Sequence, residues 1–302
     1  MTTNMTTPKI DFLGYRYWCF AFSLLLLAVF VGGALYKYHQ RGSVFVYSVD
    51  FTGGTQLLVD FSKPVNSETV LQILEKNGFS GAAAREFSDH EVLVRVKEFE
   101  GDPKGLGQRM QGLLEADLSD TKVAIVQTDS VGAGVGAELR QNTLWAIIIS
   151  LIGMLLYIWL RFTSLSYGVA SIVALVHDVV VILSFVMWFD YEVSMNVVGA
   201  VLFVLGYSMN DTIVIFARIR ENIAKHKGVS VTKLVNLSIN ETLRRTLLTS
   251  FATTLMVGAL VVFGGEFLRL LSVSVLIGIV FGTYSSIYIA SPVMLLLYNE
   301  NK

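Results

Sequence analysis

Gly206-Tyr-Ser-Met-Asn-Asp-Thr-Ile-Val-Ile-Phe-Ala-Arg-Ile-Arg-Glu221 begins inside a long apolar run and ends in a charged one. One carboxylate, Asp211, sits between them, with an apolar run from Val193 behind it. Arg218 and Arg220 mark where this helix should meet water. Asp211 lies seven residues before Arg218, which at about 1.5 Å per residue is roughly 10 Å below that surface. A carboxylate at membrane depth costs about 2.5–3.5 kcal/mol even on the gentlest scale. Such a residue faces other helices or a water-filled path. A functional role is one reading; a neutral Asp bridging helices as structural glue is the other.

Composition supports a membrane setting. The chain has 302 residues, of which 53% are hydrophobic and only 16% charged, where a soluble domain would carry about 25% charged residues. The formal net charge of −1 points to no nucleic-acid partner. The single cysteine, Cys19, can form no internal disulfide.

Working outward from Asp211, six uncharged or nearly uncharged runs are long enough to span a bilayer of ~30 Å. They are 17–36, 142–160, 164–189, 193–217, 246–265 and 270–298, with Pro292 expected to bend the last. The polar stretch 37–141 between the first two is different material. Its strands (56–61, 83–87, 92–96, 123–127) and helices (66–77, 103–118) follow the order β-α-β-β-α-β over a core of about 55–130, the split βαβ pattern of ferredoxin-like folds. The expected fold is a polytopic α-helical membrane protein of six transmembrane helices with a ferredoxin-like α+β head between helices one and two.

Short-loop lysines and arginines set the orientation. Lys9, Arg16, Arg161, Arg218, Arg220, Lys225, Lys227, Lys233, Arg244, Arg245 and Lys302 fall on one side. The opposite loops hold none at 190–192 and only Arg269 at 266–269. Both termini (1–16 at the start) and the 218–245 segment are thus expected in the cytoplasm, with the head on the far side. Within 218–245, Val231, Leu234, Val235 and Ile239 alternate with polar residues. This amphipathic helix either lies at the membrane surface or packs on the bundle.

Three sets of ionisable groups carry candidate chemistry: Asp211, the adjacent His177 and Asp178 near mid-membrane, and Arg245 at the start of span five. Arg245 either snorkels to the surface or folds inward to pair with Asp211. An acid at this depth can load a proton from one side and release it to the other. Its change of charge would bias helix packing, and each unit charge crossing 100 mV carries about 2.3 kcal/mol. Tyr207, Ser208, Asn210 and Thr212 are polar neighbours able to hold water or pass protons. No clustered ligand spacing calls for a metal. Gly132-Ala-Gly-Val-Gly136 lacks the Gly-Lys-Ser/Thr of a phosphate loop and reads as a flexible joint, about which the head should swing as the acids titrate. Gly278 and Gly282, with Ser285, Ser286 and Ala290, give span six a small-residue face for close helix packing.

Several of these stretches resemble one family. Asp50-Phe-Thr-Gly-Gly-Thr55 looks like the signature of the SecD/SecF translocase subunits. The 207–221 stretch is similar to the fourth-span motif of the family's SecF branch, Leu243-Arg-Arg-Thr-Leu-Leu-Thr-Ser250 and Gly264-Gly265 to its fifth span, and His177-Asp178 to its third. The resemblance runs from Arg16 to Leu297 in order. One departure is Ala217, where family members often carry Asp.

The resemblance implies half of a bundle of the resistance-nodulation-division (RND) class in the bacterial inner membrane, with a periplasmic head. It implies an accessory subunit driven by an ion gradient, not an enzyme. Its partners would be SecD, the SecYEG channel with SecA, YidC and YajC as further members, and unfolded preprotein as substrate. No cofactor is expected beyond the transmembrane proton gradient, or a Na⁺ gradient in its place. Asp211 and Arg245 fall on positions the family uses for proton transport, with Asp178, His177 and Asn210 beside them. Residues Asp50, Phe51, Thr52, Gly53, Gly54 and Thr55 fall where head meets bundle, either as a structural turn or as a substrate contact.

Rival readings are half of an RND-type exporter of small molecules or lipids, a non-transporting scaffold, and a membrane hydrolase built on His177 and Asp178. The head leaves little room for a ligand portal, and no further nucleophile or ligand accompanies the His-Asp pair.

Overall fold

The structure is a computed structural model that describes residues 10–97, 103–118 and 120–298. The basic residues Lys9 and Lys302 used for orientation lie outside the described residues. In chain order the elements are α1 (Arg16–Arg41), α2 (Val49–Thr52), β1 (Gly54–Phe61), α3 (Ser67–Lys76), β2 (Ala83–Glu86), β3 (Glu91–Val96), α4 (Pro103–Asp117) and β4 (Val123–Val131). Then follow α5 (Ala133–Phe162), α6 (Leu165–Trp188), α7 (Met195–Lys225), α8 (Val231–Phe263), α9 (Gly265–Ser285), a π turn (Ser286–Ala290) and α10 (Ser291–Leu297). Among the described residues, six helices are long and apolar enough to cross a membrane. The chain divides into two compact units, a head (Tyr47–Trp145) and a bundle made from the rest.

The head is one antiparallel sheet in the order β2-β3-β1-β4 with α3 and α4 on one face. This is the ferredoxin-like arrangement that the β-α-β-β-α-β order implies. Alternation decides which side is buried, because successive strand residues point to opposite faces. Leu57, Val59 and Phe61 of β1 point inward with Val92, Val94 and Val96 of β3. They meet Val70 and Leu74 of α3 and Leu106, Met110 and Leu114 of α4, which recur at helical spacing. Asn66 caps α3 by accepting from the Glu68 N–H at 2.7 Å. The β1–β4 register shifts between Leu58 and Val59, leaving Val126 as the extra residue of a bulge.

In the bundle, α7 is the most buried span and α5 the least. The central helix α7 packs on α6, α8 and α9. Closeness to α9 depends on glycine: a Cβ on Gly278 would come within 2.2 Å of Val204, and one on Gly282 within 2.9 Å of Ser208. The small-residue face of span six therefore meets α7 of the same chain. The π turn directly precedes Pro292. Proline lacks an N–H and its ring crowds the carbonyl four residues back, so the backbone widens there. Ser291 Oγ, at the start of α10, donates back across that turn to the Ser286 carbonyl at 3.0 Å.

Within 218–245 the chain is helical on both sides of a short turn: α7 runs on to Lys225, and α8 is one helix from Val231 to Phe263, so the amphipathic stretch and the fifth span are continuous. Of the two readings for that stretch, packing on the bundle is the one seen, because Val231, Leu234, Val235 and Ile239 are buried. In segment 132–136, Gly134 and Gly136 belong to the first turn of α5, and Gly136 backs onto Phe51 and Gly53.

A further element is a strap formed by residues 10–13. Asn236 Oδ1 on α8 accepts from the Phe12 N–H (2.9 Å) and the Leu13 N–H (3.4 Å), and its Nδ2 donates to the Ile10 carbonyl (3.2 Å). Asn240 accepts from the Ile10 N–H (3.1 Å) and donates to its carbonyl (2.8 Å). Phe12 and Leu13 are buried beneath. At the other end of α1, Lys37 and Arg41 pair with Asp190 in the α6–α7 connection, Arg41 at 2.7 Å.

Candidate functional site

Two acids lie inside the bundle. Asp178, at the middle of α6, is 0% exposed. Its Oδ2 accepts from Ser208 Oγ of α7 (2.7 Å) and Ser285 Oγ of α9 (2.9 Å). Its Oδ1 lies 3.2 Å from His177 Nδ1, whose side chain is 11% exposed. His177 Nε2 is buried without a hydrogen-bond partner. Neighbouring helix residues point about 100° apart, yet the long imidazole folds back along the helix to its neighbour.

Asp211, on α7, is 3% exposed. Its Oδ2 accepts from Ser250 Oγ of α8 (3.4 Å) and Thr283 Oγ1 of α9 (3.5 Å), both at the long end of bonding. Those two hydroxyls lie 2.8 Å from one another. Among the described residues no ion pair joins Asp211 to Arg245. The guanidinium is on an exposed face of α8 and acts on the acid only through space. Asn210 is likewise exposed on α7 and takes no part in this cluster.

Between the acids lie Thr212 and Ser286, both buried, with hydroxyls 2.8 Å apart. The site is thus two carboxyls in one interior, each met by hydroxyls, with His177 as a further partner of Asp178 alone. A hydroxyl both donates and accepts. It can satisfy the acid whether or not the acid carries a proton, whereas a fixed guanidinium would hold it charged. Among the described residues no three His, Cys, Asp or Glu side chains gather as a metal-binding group. Ser250, Thr283 and Ser285 were not singled out as acid partners by spacing. Their only sequence signal is a hydroxyl placed in an otherwise apolar span.

The 50–55 motif occupies a tight reversal in the head. Ser48 caps the short α2, accepting from the Asp50 N–H at 3.3 Å and donating to Asp50 Oδ2 at 3.0 Å. Thr52 Oγ1 donates back to the Ser48 carbonyl at 3.0 Å, and Phe51 is buried. Gly53 (φ 75°) and Gly54 (φ 109°) then turn the chain into β1 through backbone angles that favour glycine. A Cβ on Gly53 would come within 2.6 Å of Ala133 Cα, and one on Gly54 within 2.5 Å of the Val96 carbonyl. Thr55, fully buried, shares a 2.8 Å hydroxyl bond with Ser130 of β4.

Comparison with known proteins adds to this geometry. Residues 114–300 match the family model described as "Protein export membrane protein SecD/SecF, C-terminal", and residues 43–65 match "SecD/SecF GG Motif". The first match runs from the end of α4 in the head through α5–α10, and the second covers the glycine reversal just described. The chain belongs to the SecD/SecF protein-export family.

Among SecD/SecF relatives, the chain is 38% identical over 296 residues to "Protein translocase subunit SecF" of Desulfurispirillum indicum, covering 96% of this chain and 91% of that one. It is 36% identical to "Protein translocase subunit SecDF" of Thermus thermophilus, covering 99% of this chain but 40% of the relative. The crystal structure of a Thermus SecDF, described as a translocon-associated membrane protein, superposes with a TM-score of 0.84 at 35% identity. That match covers 96% of this chain and 38% of the solved one. As a SecD/SecF member the chain is a membrane-embedded translocase subunit of protein export.

Proposed function

We propose that this chain is the SecF-type half of a SecD–SecF pair in the bacterial inner membrane, where ion flow through its buried acids drives late stages of preprotein export through SecYEG. SecA would insert the preprotein first, and YidC and YajC would be further members of the assembly. The observation that carries this reading is Asp211: a carboxyl 3% exposed, at membrane depth, with no cation in contact and only long hydroxyl bonds. A structural acid would be bound tightly. One bound this loosely can change protonation, and through that its helix contacts. Asp178 is the more firmly held acid, with His177 beside it. Arg245, close enough to act on Asp211 electrostatically, supplies the positive field. The basic short loops favour cytoplasmic termini and a periplasmic head.

The partner half finds a seat on α7. Gly199, Phe203, Gly206 and Asn210 form an exposed strip along one face of this otherwise most buried helix. A Cβ on Gly199 or Gly206 would meet nothing within 4 Å. Two glycines and an amide beside one exposed aromatic offer the close approach and the hydrogen bond that a second transmembrane helix packs against.

Asp211→Asn keeps the size and removes the titration. In inner-membrane vesicles with an imposed proton gradient, preprotein export by this variant falls to the level seen without the gradient. A parallel sodium gradient assigns the ion. Undiminished gradient-stimulated export by the variant under both ions would leave the chain a scaffold.

A further inference from the structure

Five consecutive residues, from the end of α9 into the π turn, reach four other helices. Gly282 lies against Ser208 of α7. Thr283 donates to Asp211 at 3.5 Å and lies 2.8 Å from Ser250 of α8. Tyr284 donates to the Cys19 carbonyl of α1 at 2.8 Å. Ser285 donates to Asp178 of α6 at 2.9 Å, and Ser286 shares a 2.8 Å bond with Thr212 of α7.

Each hydroxyl has one hydrogen to give. Ser285 Oγ has two acceptors in reach, Asp178 Oδ2 and the Gly282 carbonyl (3.1 Å). Ser286 Oγ also reaches the Gly282 carbonyl (2.9 Å) as well as Thr212. The Gly282 carbonyl has two lone pairs and can accept both hydroxyls, so Ser285 has a second acceptor when Asp178 is neutral. A charged Asp178 draws the Ser285 hydroxyl more strongly than a neutral one does, so the charge of the acid sets how hard it pulls on the segment. Geometry turns that pull into opposition. Thr283 and Ser285 are two residues apart, about 200° around the helix, so a sideways shift of the segment that brings one toward its acid draws the other away. The segment's own bonds fit one end of such a motion: Ser285 reaches Asp178 at 2.9 Å, whereas Thr283 reaches Asp211 only at 3.5 Å.

We infer that segment 282–286 couples the two acids in opposition, with Ser285 as the positioning residue through which the charge of Asp178 sets how firmly Asp211 is held. The role of this coupling in export rests on the ion-driven reading above, but the coupling itself does not. The other titratable groups facing the pair are His177 on α6, Tyr284 on α9 and Cys19 on α1 near Asp178. Near Asp211 they are Arg245 on α8 and Tyr207 one turn before it on α7.

The test reads Asp211 directly. In the full-length protein reconstituted in membranes with its partner, pH-difference infrared spectra assign the Asp211 carboxyl band by its loss in Asp211→Asn. Ser285→Ala, which touches Asp178 and not Asp211, is expected to move the pH midpoint of the Asp211 band by about one unit, the scale of one hydrogen bond to a charged group. Ser285→Thr, which keeps the hydroxyl, should restore it. Asp178→Asn should move the band too, and adding Ser285→Ala to it should change nothing further. An unmoved Asp211 band in both single variants, or additive shifts in the double variant, overturns the coupling. Should Ser285→Ala fail to assemble, Asp178→Asn alone decides. If Asp211→Asn leaves export intact while the band shifts as stated, the export reading fails and the coupling stands.

Discussion

Asp129 of β4 shows how one carboxyl sets a pH dependence in the head. Burial raises it above the ordinary carboxylate value; the Gln127 amide, donating at 2.7 Å, opposes this, and the nearby Asp50 charge adds to it. The folded head therefore holds this proton more tightly than the unfolded chain does. The stability it contributes is full below the unfolded value of about 3.9 and is lost as pH rises through the higher folded value. Asp129→Asn should remove that pH dependence and stabilise the head at neutral pH, by less than about 1 kcal/mol because water screens a partly exposed group. Thermal unfolding of the full-length protein at mildly acidic and neutral pH checks it; a variant less stable at neutral pH than its parent would contradict the assignment. In the bundle, Asp211, Asp178 and His177 were legible because ionisable residues stand out in apolar runs. Their hydroxyl partners were not, because Ser and Thr are common in spans and only packing selects those that touch an acid. Reach alone left Arg245 free either to snorkel or to pair with Asp211, and the residue lies on an exposed face of α8.

Elements were legible where periodicity is strong. The six spans follow from length and the absence of charge, and the head strands from alternation. The amphipathic helix at the end of 218–245 and the span after it were read as separate elements, and in the structure they are one continuous helix, α8. Helical backbone bonds are satisfied internally, so charged residues can leave the bilayer without ending the helix. The strap was not legible, because its bonds join residues 224 and 230 positions apart. Asn236 accepts from two backbone N–H groups in a buried setting, and Asn236→Ala leaves both unsatisfied. The expected cost is about 1–3 kcal/mol, seen as a lower melting temperature in detergent. Asn240→Ala should cost less, because that amide is partly exposed. Equal losses from the two would mean the strap is held by Phe12 and Leu13 burial alone.

Across the whole molecule, burial is unequal: α6, α7 and α9 form the interior and α1, α5 and α8 are largely open. An isolated bundle has no reason to expose a glycine strip on its central helix. A complex does, and the solved relative, of which this chain matches 38%, is large enough to contain such a second half. Gly206→Leu tests this at the right scale. Nothing in the chain obstructs the new side chain, and leucine favours helix over glycine by up to about 1 kcal/mol. The variant alone should fold at least as stably as its parent, yet lose co-purification with the SecD-type partner. Retained co-purification would place the interface elsewhere.

The strap also fixes an order of events in biogenesis. Residues 10–13 are made well before the asparagines that receive them, which follow some 224 positions later. At ~5–20 residues per second that is a wait of roughly 10–45 s. The strap must remain unfastened while the head and most of the spans are made, and it latches only once α8 has been synthesised.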